Sequence, residues 1–266
     1  QEHEMMQSVL SHFGLTAPAT PGLAFVRELL SAYTQHVPWG STCRISRKML
    51  PTPAERARFA EVFWEDVLAR GGDGTCFESN YAFFALLQSL GYEGYLTLNN
   101  MGETVGCHSA IVLLIDGEKW LVDAGLPVMA VVRLDARHVT VGESVWHEYV
   151  AIPQVDGTHY DIMQSHHKAP YCFTLIDRPV DDETYRTRLV RDHEPDGLFL
   201  DRVILRKVID GNVWRYNGRD EAGVIEEFPP HGEKRQHPIT GDVAQTLAER
   251  FGVDVDVMRA AIAAQD

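Results

Sequence analysis

The chain has 266 residues, of which 45% are hydrophobic and 23% charged, a composition typical of a globular protein with one large domain or two to three small ones. Its formal net charge of −14 argues against nucleic acid and against an anionic membrane surface as partners. No apolar run approaches the roughly 20 residues of a transmembrane helix, and the acidic first residues lack the layout of a signal peptide. We therefore expect a cytoplasmic protein.

The cysteines and histidines give no metal-binding pattern. Four cysteines, at positions 43, 76, 107 and 172, are widely spaced and form no CxxC pair, so neither a disulfide framework nor a thiolate zinc site is expected. His166-His167 has no carboxylate or cysteine at ligand spacing, and a solvated loop is the better interpretation. The sequence therefore predicts no metal site.

Helical patterns dominate the first third of the chain, where we expect a small helical bundle. Thr52-Pro53-Ala54-Glu55 is a strong helix start, with a threonine N-cap, a proline in the first position and a glutamate that completes a capping box. One helix is predicted to continue from there to Gly71-Gly72, whereas residues 41–50 look irregular. The predicted helices cover residues 5–13, 23–35, 52–70 and 76–90.

After residue 91 the pattern changes to short strands separated by turn residues, which indicates an antiparallel sheet or barrel. The predicted strands cover 95–98, 110–115, 118–123, 131–134, 145–152, 158–163 and 171–176, with a polar loop over 99–106. A charged helix at 181–188, three strands (199–208, 212–216, 224–228) and two helices (242–251, 255–264) follow. The predicted fold class is α+β with three domains, namely a helical bundle (1–91), a β-barrel or sheet (92–180) and a C-terminal α/β lid (181–266).

Asp116-Gly117, between two apolar runs, is typical of a two-residue hairpin turn. Such a turn places His108 and Asp123 on the same face of the hairpin as diagonal neighbours, about 7–8 Å apart at Cα and within reach of each other's side chains. A carboxylate beside an imidazole fixes its tautomer and stabilises the imidazolium. A three-residue turn would place the two side chains on opposite faces.

Cys76 is the candidate nucleophile that the pair of His108 and Asp123 could activate. A glycine-rich turn delivers it to the start of an apolar helix, where free backbone N–H groups and partial positive charge stabilise a thiolate. Cys76, His108 and Asp123 are therefore predicted to be the nucleophile, the base and the orienting carboxylate. Taken singly, a buried cysteine, a core histidine and a turn-forming aspartate are the plainer explanations, and only the combination favours catalysis.

The run around Cys76 resembles the arylamine N-acetyltransferase signature, Arg-Gly-Gly-x-Cys-x-Glu-x-Asn, with two extra residues before the cysteine. The run in this chain is Arg70-Gly71-Gly72-Asp73-Gly74-Thr75-Cys76-Phe77-Glu78-Ser79-Asn80. His108 matches the family's histidine at the opening of a strand, and Asp123 in Leu121-Val122-Asp123-Ala124-Gly125 matches its aspartate. The family's layout of helical bundle, β-barrel and α/β lid is similar to the one predicted above.

The resemblance implies an acyltransferase that takes an acyl group from a thioester donor, acyl-CoA or an acyl carrier protein, onto Cys76 and passes it to an amine acceptor. No permanently bound cofactor is implied. Glu78 and Asn80 would support the three catalytic residues from the first helical turn. Relatives called amide synthases release or cyclise carrier-bound polyketides with the same three residues, and this alternative stays open.

Several features bear on the substrates. The family's Pro-Phe-Glu-Asn segment corresponds to Pro38-Trp39-Gly40-Ser41, and Leu126-Pro127 follows the aspartate where relatives usually have an aromatic residue and glycine. One group of basic residues could meet coenzyme A phosphates or an acidic carrier protein, but acidic residues interleave with it and a salt-bridged surface fits equally well. The group consists of Arg186, Arg188, Arg191, Arg202, Arg206 and Lys207.

Two other classes of protein fit the same residues. A transglutaminase-like or peptidase-like thiol hydrolase, with a cysteine-protease-like core, has the same order of cysteine at a helix start and then histidine and aspartate on neighbouring strands. A binding or scaffold protein with a disused triad is the alternative without catalysis. Arg70-Gly71-Gly72 with Glu78 and Asn80 favours the acetyltransferase.

Overall fold

The structure, a computed structural model, describes residues 2–125, 130–165 and 167–266. Its helices gather at the two ends of the chain, and no helix within these ranges is long and apolar enough to cross a membrane. The helices are α1 (Glu2–His12), α2 (Leu23–His36), α3 (Thr42–Ser46), α4 (Pro53–Arg56), α5 (Ala60–Arg70), α6 (Cys76–Ser89), α7 (Asp182–Arg191), α8 (Val243–Phe251) and α9 (Val255–Ala263).

The strands form two antiparallel sheets. They are β1 (Trp39–Gly40), β2 (Glu93–Met101), β3 (Thr104–Ile115), β4 (Glu118–Val122), β5 (Val132–Leu134), β6 (Thr140–Glu143), β7 (Glu148–Pro153), β8 (His159–Gln164), β9 (Tyr171–Ile176), β10 (Ile204–Ile209), β11 (Asn212–Asn217), β12 (Val224–Phe228) and β13 (Arg235–Pro238). The eight-stranded sheet has the order β5-β4-β3-β2-β9-β8-β7-β6, and the five-stranded sheet has the order β1-β10-β11-β12-β13.

The larger sheet is a nearly closed barrel. Its two edge strands approach each other, since the Thr140 hydroxyl of β6 donates a hydrogen bond to the Arg133 carbonyl of β5. The predicted α+β class with an antiparallel, barrel-like sheet is thus confirmed. The division into three domains at residues 91 and 180 stays a prediction, and β1, from the first of them, pairs with β10 in the third.

The predicted helix over 52–70 is wrong, because the chain leaves the helical conformation between α4 and α5. The capping box at Thr52 is present, but Ala57 and Phe59 are extended. Between them the buried Arg58 side chain turns inward and donates to the Asp73 carbonyl. A tertiary contact therefore overrides the local helical pattern.

Two segments predicted as irregular or as a loop have regular structure. Residues 41–50, predicted as irregular, hold α3 because the buried Asp73 carboxylate accepts hydrogen bonds from the backbone N–H groups of Thr42 and Cys43 at 2.8 and 2.9 Å. The predicted loop over 99–106 is instead a tight turn, since β2 runs to Met101 and pairs it with Thr104 of β3.

The hairpin of β3 and β4 has the predicted register. Ile115 pairs with Glu118, and the ladder continues to Ile111 and Val122. Asp116 and Gly117 both have positive φ, of 51° and 76°, as the tightest hairpin turns require. The ends of this hairpin carry His108 and Asp123, so the turn chemistry determines the geometry of the candidate site.

Candidate active site

The turn before Cys76 is fixed by hydrogen bonds at both of its ends. Gly71 ends α5 with a left-handed φ of 60°, and the N–H of Gly72 reaches back to the Asp66 carbonyl at 3.0 Å. At the far end the Glu78 carboxylate accepts from the Thr75 N–H at 2.9 Å. Cys76, the first residue of α6, is buried within this rigid frame at the positive end of the helix.

His108 and Asp123 form a short, buried pair. His108 Nε2 lies 2.6 Å from Asp123 Oδ2, and both side chains are about 2% exposed. The other carboxylate oxygen, Oδ1, accepts from Asn80 Nδ2 at 3.0 Å and from the Gly125 N–H at 2.8 Å. The carboxylate is thus held in one orientation by Asn80 of α6 and by the Gly125 N–H, and it fixes the orientation of the imidazole.

The electrostatics of His108 favour the imidazolium. Burial opposes the charge, but the Asp123 carboxylate and hydrogen bonds with Asp123 and Cys76 raise the pKa of His108 to about 10. The ring also lies against Phe173, with centroids 4.5 Å apart. The imidazole paired with Asp123 therefore carries a proton at neutral pH, and Cys76 Sγ lies 3.9 Å from the carbonyl of Cys107, the residue before His108.

Gly125 allows the close approach of the hairpin to α6. A Cβ built on it would lie 2.4 Å from Cys76 Cα and 2.5 Å from Cys76 Cβ, too close for any side chain. Asn80 adds a further link, because its Oδ1 accepts from the Ala124 N–H at 2.9 Å and its Nδ2 donates to the Ser109 carbonyl at 2.9 Å. The predicted supporting role of Asn80 has this contact as its physical basis.

Two residues that the sequence did not indicate also position the cysteine. Ser109 Oγ donates to the Cys76 carbonyl at 3.1 Å, and the Tyr185 hydroxyl lies 2.8 Å from both Ser109 Oγ and the Phe77 carbonyl. Tyr185 is fully buried although α7 is mostly charged. An aromatic residue within a charged helix is the one feature of the sequence that could have indicated its buried role. It ties α7 to the first turn of α6.

A buried charge network lies beneath the helix start. Arg44 contacts Glu78 at 3.0 Å and Asp192 at 2.8 Å, and Arg58 lies 3.8 Å from Glu78. Burial of Glu78 raises its pKa, but the two guanidinium groups outweigh this and lower the pKa to about 2. Glu78 is therefore ionised, as its contact with the helix N-terminus also requires.

The side chains of the remaining sequence candidates make other contacts, although the backbone carbonyl of Cys107 lies 3.9 Å from Cys76 Sγ. Cys107 is buried, with its thiol 3.5 Å from the Thr104 carbonyl. In the part of the chain that the structure describes, no group of three or more His, Cys, Asp or Glu residues could hold a metal. His167 is exposed and bonds to Ala169, whereas His166 and Leu126-Pro127 lie outside the described residues.

Several basic residues of the group considered for phosphate binding are engaged in other contacts. Arg191 pairs with Asp196 at 2.6 Å, and the Arg188 guanidinium lies 3.6 Å from Asp192. Lys207 donates to the Phe251 carbonyl at 3.1 Å. The salt-bridged interpretation therefore holds for the arginines of α7.

Comparison with known proteins identifies the family. A family model described as N-acetyltransferase matches residues 24–260, which is most of the chain. The chain belongs to the arylamine N-acetyltransferase family. The predicted resemblance is thereby confirmed, and no curated protein sequence matches the chain.

Solved arylamine N-acetyltransferases share this fold at low sequence identity. The Mycobacterium marinum enzyme in complex with CoA has 18% identity and a TM-score of 0.81, with 97% of each chain covered. The Salmonella typhimurium enzyme has 15% identity and a TM-score of 0.80, with 98% of each chain covered. The Bacillus cereus enzyme, described as having a Cys-His-Glu catalytic triad, has 17% identity and a TM-score of 0.75, with 94% of this chain and 99% of that chain covered.

Proposed function

We propose that this protein transfers an acyl group from a coenzyme A thioester to an arylamine through an acyl-enzyme on Cys76. The observation that carries the proposal is the arrangement of Cys76 at a helix start, with its thiol 3.9 Å from the carbonyl that precedes His108, and of His108 itself, which Asp123 holds at 2.6 Å. Family membership favours an acyltransferase over a thiol hydrolase. The CoA complex of the Mycobacterium marinum relative supports coenzyme A as the donor's carrier.

The first half-reaction forms the acyl-enzyme. Cys76 Sγ attacks the thioester carbonyl carbon, the new C–S bond forms, and the bond to the coenzyme A sulfur breaks as that sulfur leaves as a thiolate. His108 holds a proton at neutral pH, since its pKa is about 10, and it passes that proton to the departing thiolate. Backbone N–H groups at the start of α6 are the donors that would stabilise the oxyanion.

The second half-reaction regenerates the enzyme. The amine nitrogen attacks the acyl carbon, the C–N bond forms, and Cys76 leaves as a thiolate. The neutral His108 left by the first step takes the proton that the amine must lose, so atoms and charges balance over the cycle. Asp123 stabilises the imidazolium each time it forms.

The test is the release of free coenzyme A thiol from acetyl-CoA, measured with and without an arylamine, together with chromatography of the amide. We expect amine-dependent turnover with ping-pong kinetics, abolished in Cys76→Ala and retained in Cys43→Ala, the control at a free cysteine of α3. Thiol release without amide would indicate a hydrolase, and no release from any thioester would indicate a scaffold. A carrier-bound donor and an amide synthase activity stay predictions from the sequence, to be assayed with acyl-pantetheine.

A further inference from the structure

Asp73 lies three residues before Cys76, and its buried carboxylate contacts a distant segment of the chain. Its Oδ2 accepts a hydrogen bond from the Thr42 N–H at 2.8 Å, and its Oδ1 accepts one from the Cys43 N–H at 2.9 Å. Both donors belong to the first turn of α3, where N–H groups lack partners within the helix. The turn that presents the candidate nucleophile is therefore joined to α3 by a carboxylate with both oxygens engaged.

The residue that precedes α3 uses its side chain for another contact. The hydroxyl of Ser41, the N-cap residue, donates to the Arg202 carbonyl at 3.0 Å and accepts from the Ile204 N–H at 2.9 Å. These two bonds join β1 and β10 instead of capping the helix. Asp73 therefore supplies, from the turn before Cys76, the acceptor that an N-cap side chain ordinarily supplies.

The backbone of the same turn is held from two other sides. Gly74 forms an isolated parallel bridge with Trp39 of β1, and the Gly40 N–H donates to the Gly74 carbonyl at 3.1 Å. The buried Arg58 guanidinium donates to the Asp73 carbonyl. Residues 73 and 74 are thereby fixed by β1, by α3 and by Arg58.

The helix that Asp73 holds returns a contact to the start of α6. Arg44 of α3 directly follows the two backbone donors, and its guanidinium contacts Glu78 at 3.0 Å. Glu78 in turn accepts from the Thr75 N–H at 2.9 Å. A closed ring of contacts thus runs from Asp73 through α3, Arg44 and Glu78 to Thr75, the residue before Cys76. Because both ends of the ring lie in the turn, loss of the Asp73 contacts would weaken its support at both ends.

Gly40 leaves the space that the Asp73 carboxylate occupies. A Cβ built on it would lie 2.4 Å from Asp73 Oδ2 and 2.9 Å from the Ile204 carbonyl oxygen, closer than real Cβ contacts. The family's Pro-Phe-Glu-Asn segment has glutamate at this position, and its signature has one residue between the glycines and the cysteine where this chain has three. A side chain at position 40 and the Asp73 carboxylate therefore exclude each other, and the contact belongs to the longer turn.

We infer that Asp73 is a positioning residue for Cys76, whose buried carboxylate joins the longer turn to α3 and so sets the place of the thiol at the start of α6. Asp73 acts through the backbone of the turn rather than on the reacting atoms. Its role in catalysis rests on the proposed function, whereas its effect on the reactivity of the thiol does not. Helix N–H groups and a nearby imidazolium stabilise a thiolate, and both contributions depend on where the thiol lies.

The test is the rate at which iodoacetamide alkylates Cys76 between pH 5 and pH 9, followed by mass spectrometry and peptide mapping. Asp73→Asn keeps the shape but turns an amide NH₂ towards one of the two backbone donors. We expect its rate profile to lie about one pH unit above that of the wild type, so that Cys76 reacts about tenfold more slowly at pH 7. Loss of the negative charge without displacement would favour the thiolate and shift the profile to lower pH. An unchanged profile, or a shift to lower pH, would overturn the inference.

Two further variants control for stability and for charge. Asp254→Asn alters a carboxylate that accepts two backbone N–H groups at the start of α9, and it should leave the profile of Cys76 unchanged. Gly40→Ala places a methyl group against Asp73 Oδ2 and keeps the charge, so it should also shift the profile to higher pH. It carries the test by itself if Asp73→Asn does not fold, and urea unfolding defines the conditions under which each variant is folded. A wild-type profile in Gly40→Ala, or an equal shift in Asp254→Asn, would overturn the inference.

A parallel assay of acyl transfer separates this inference from the proposed function. We expect kcat/KM for the thioester to fall about tenfold in Asp73→Asn, in step with the alkylation rate. A shifted alkylation profile in a protein that turns over no thioester would retain the positioning role and refute the acyltransferase. Wild-type kcat/KM in folded Asp73→Asn would retain the acyltransferase and overturn the positioning role.

Discussion

At the scale of single residues, Asp123 has the most constrained position in the candidate site. Its two oxygens together contact His108, Asn80 and the Gly125 N–H at distances between 2.6 and 3.0 Å. Because these partners come from three different segments, the carboxylate cannot rotate without breaking a buried hydrogen bond. The orientation of the His108 imidazole therefore depends on its hydrogen bond with Asp123 more than on the packing of the ring.

Replacement of this carboxylate should slow catalysis without unfolding the protein. Asp123→Asn keeps the shape but removes the charge that stabilises the imidazolium, and we expect kcat/KM for arylamine acetylation to fall by about 10³- to 10⁴-fold. Asp123→Glu keeps the charge on a longer side chain and should lose less. Steady-state kinetics with thermal melts of each variant test this. An Asn variant within tenfold of the wild type would contradict it.

The raised pKa of His108 also predicts how stability changes with pH. A group whose pKa is about 10 in the folded state and about 6.5 in the unfolded state binds more protons when folded between these values. Its contribution to the free energy of unfolding is therefore complete below pH 6.5 and is lost as the pH rises towards 10.

The neutral double variant His108→Gln/Asp123→Asn isolates this contribution, because it removes both charges of the pair. We expect urea unfolding to show a stability difference between wild type and double variant that declines from pH 6.5 to pH 10. A difference that stays constant over this window would contradict the raised pKa of His108.

At the scale of elements, the first turn of α6 depends on the charges buried beneath it. Arg44 is fully buried and holds both Glu78 and Asp192. Arg44→Met would leave these carboxylates without that partner, and we expect a loss of about 3–5 kcal/mol in the free energy of unfolding. Arg191→Met, which removes an exposed ion pair with Asp196, should produce no measurable change in denaturant unfolding. Equal effects of the two substitutions would show that the network does not support α6.

Elements with a local chemical signal could be predicted from the sequence, and elements held by distant contacts could not. The Asp116-Gly117 turn fixed the hairpin register and, with it, the contact of His108 and Asp123. By contrast, α3 depends on Asp73, a residue some thirty positions later, and nothing within 41–50 signals that interaction. Short edge strands such as β1 also carry no local sequence signal, because their hydrogen bonds come only from the partner strand.

At the scale of the whole molecule, the apolar side chains of the described residues form three cores. The largest joins the N-terminal helices to one face of the barrel sheet, the second fills the barrel, and the third lies between the smaller sheet and its helices α8 and α9. Cys76 belongs to the first of these, whereas Arg206 lies on the face of the smaller sheet opposite the third.

Intact-protein mass spectrometry after incubation with acetyl-CoA tests whether Cys76 carries the acyl group between donor and acceptor. We expect a mass gain equal to one acetyl group, located by peptide mapping on Cys76, absent from Cys76→Ala and discharged when an arylamine is added. An unmodified protein that nevertheless acetylates the amine would contradict a covalent intermediate. An adduct on Cys172 that persists in Cys76→Ala would contradict the choice of nucleophile.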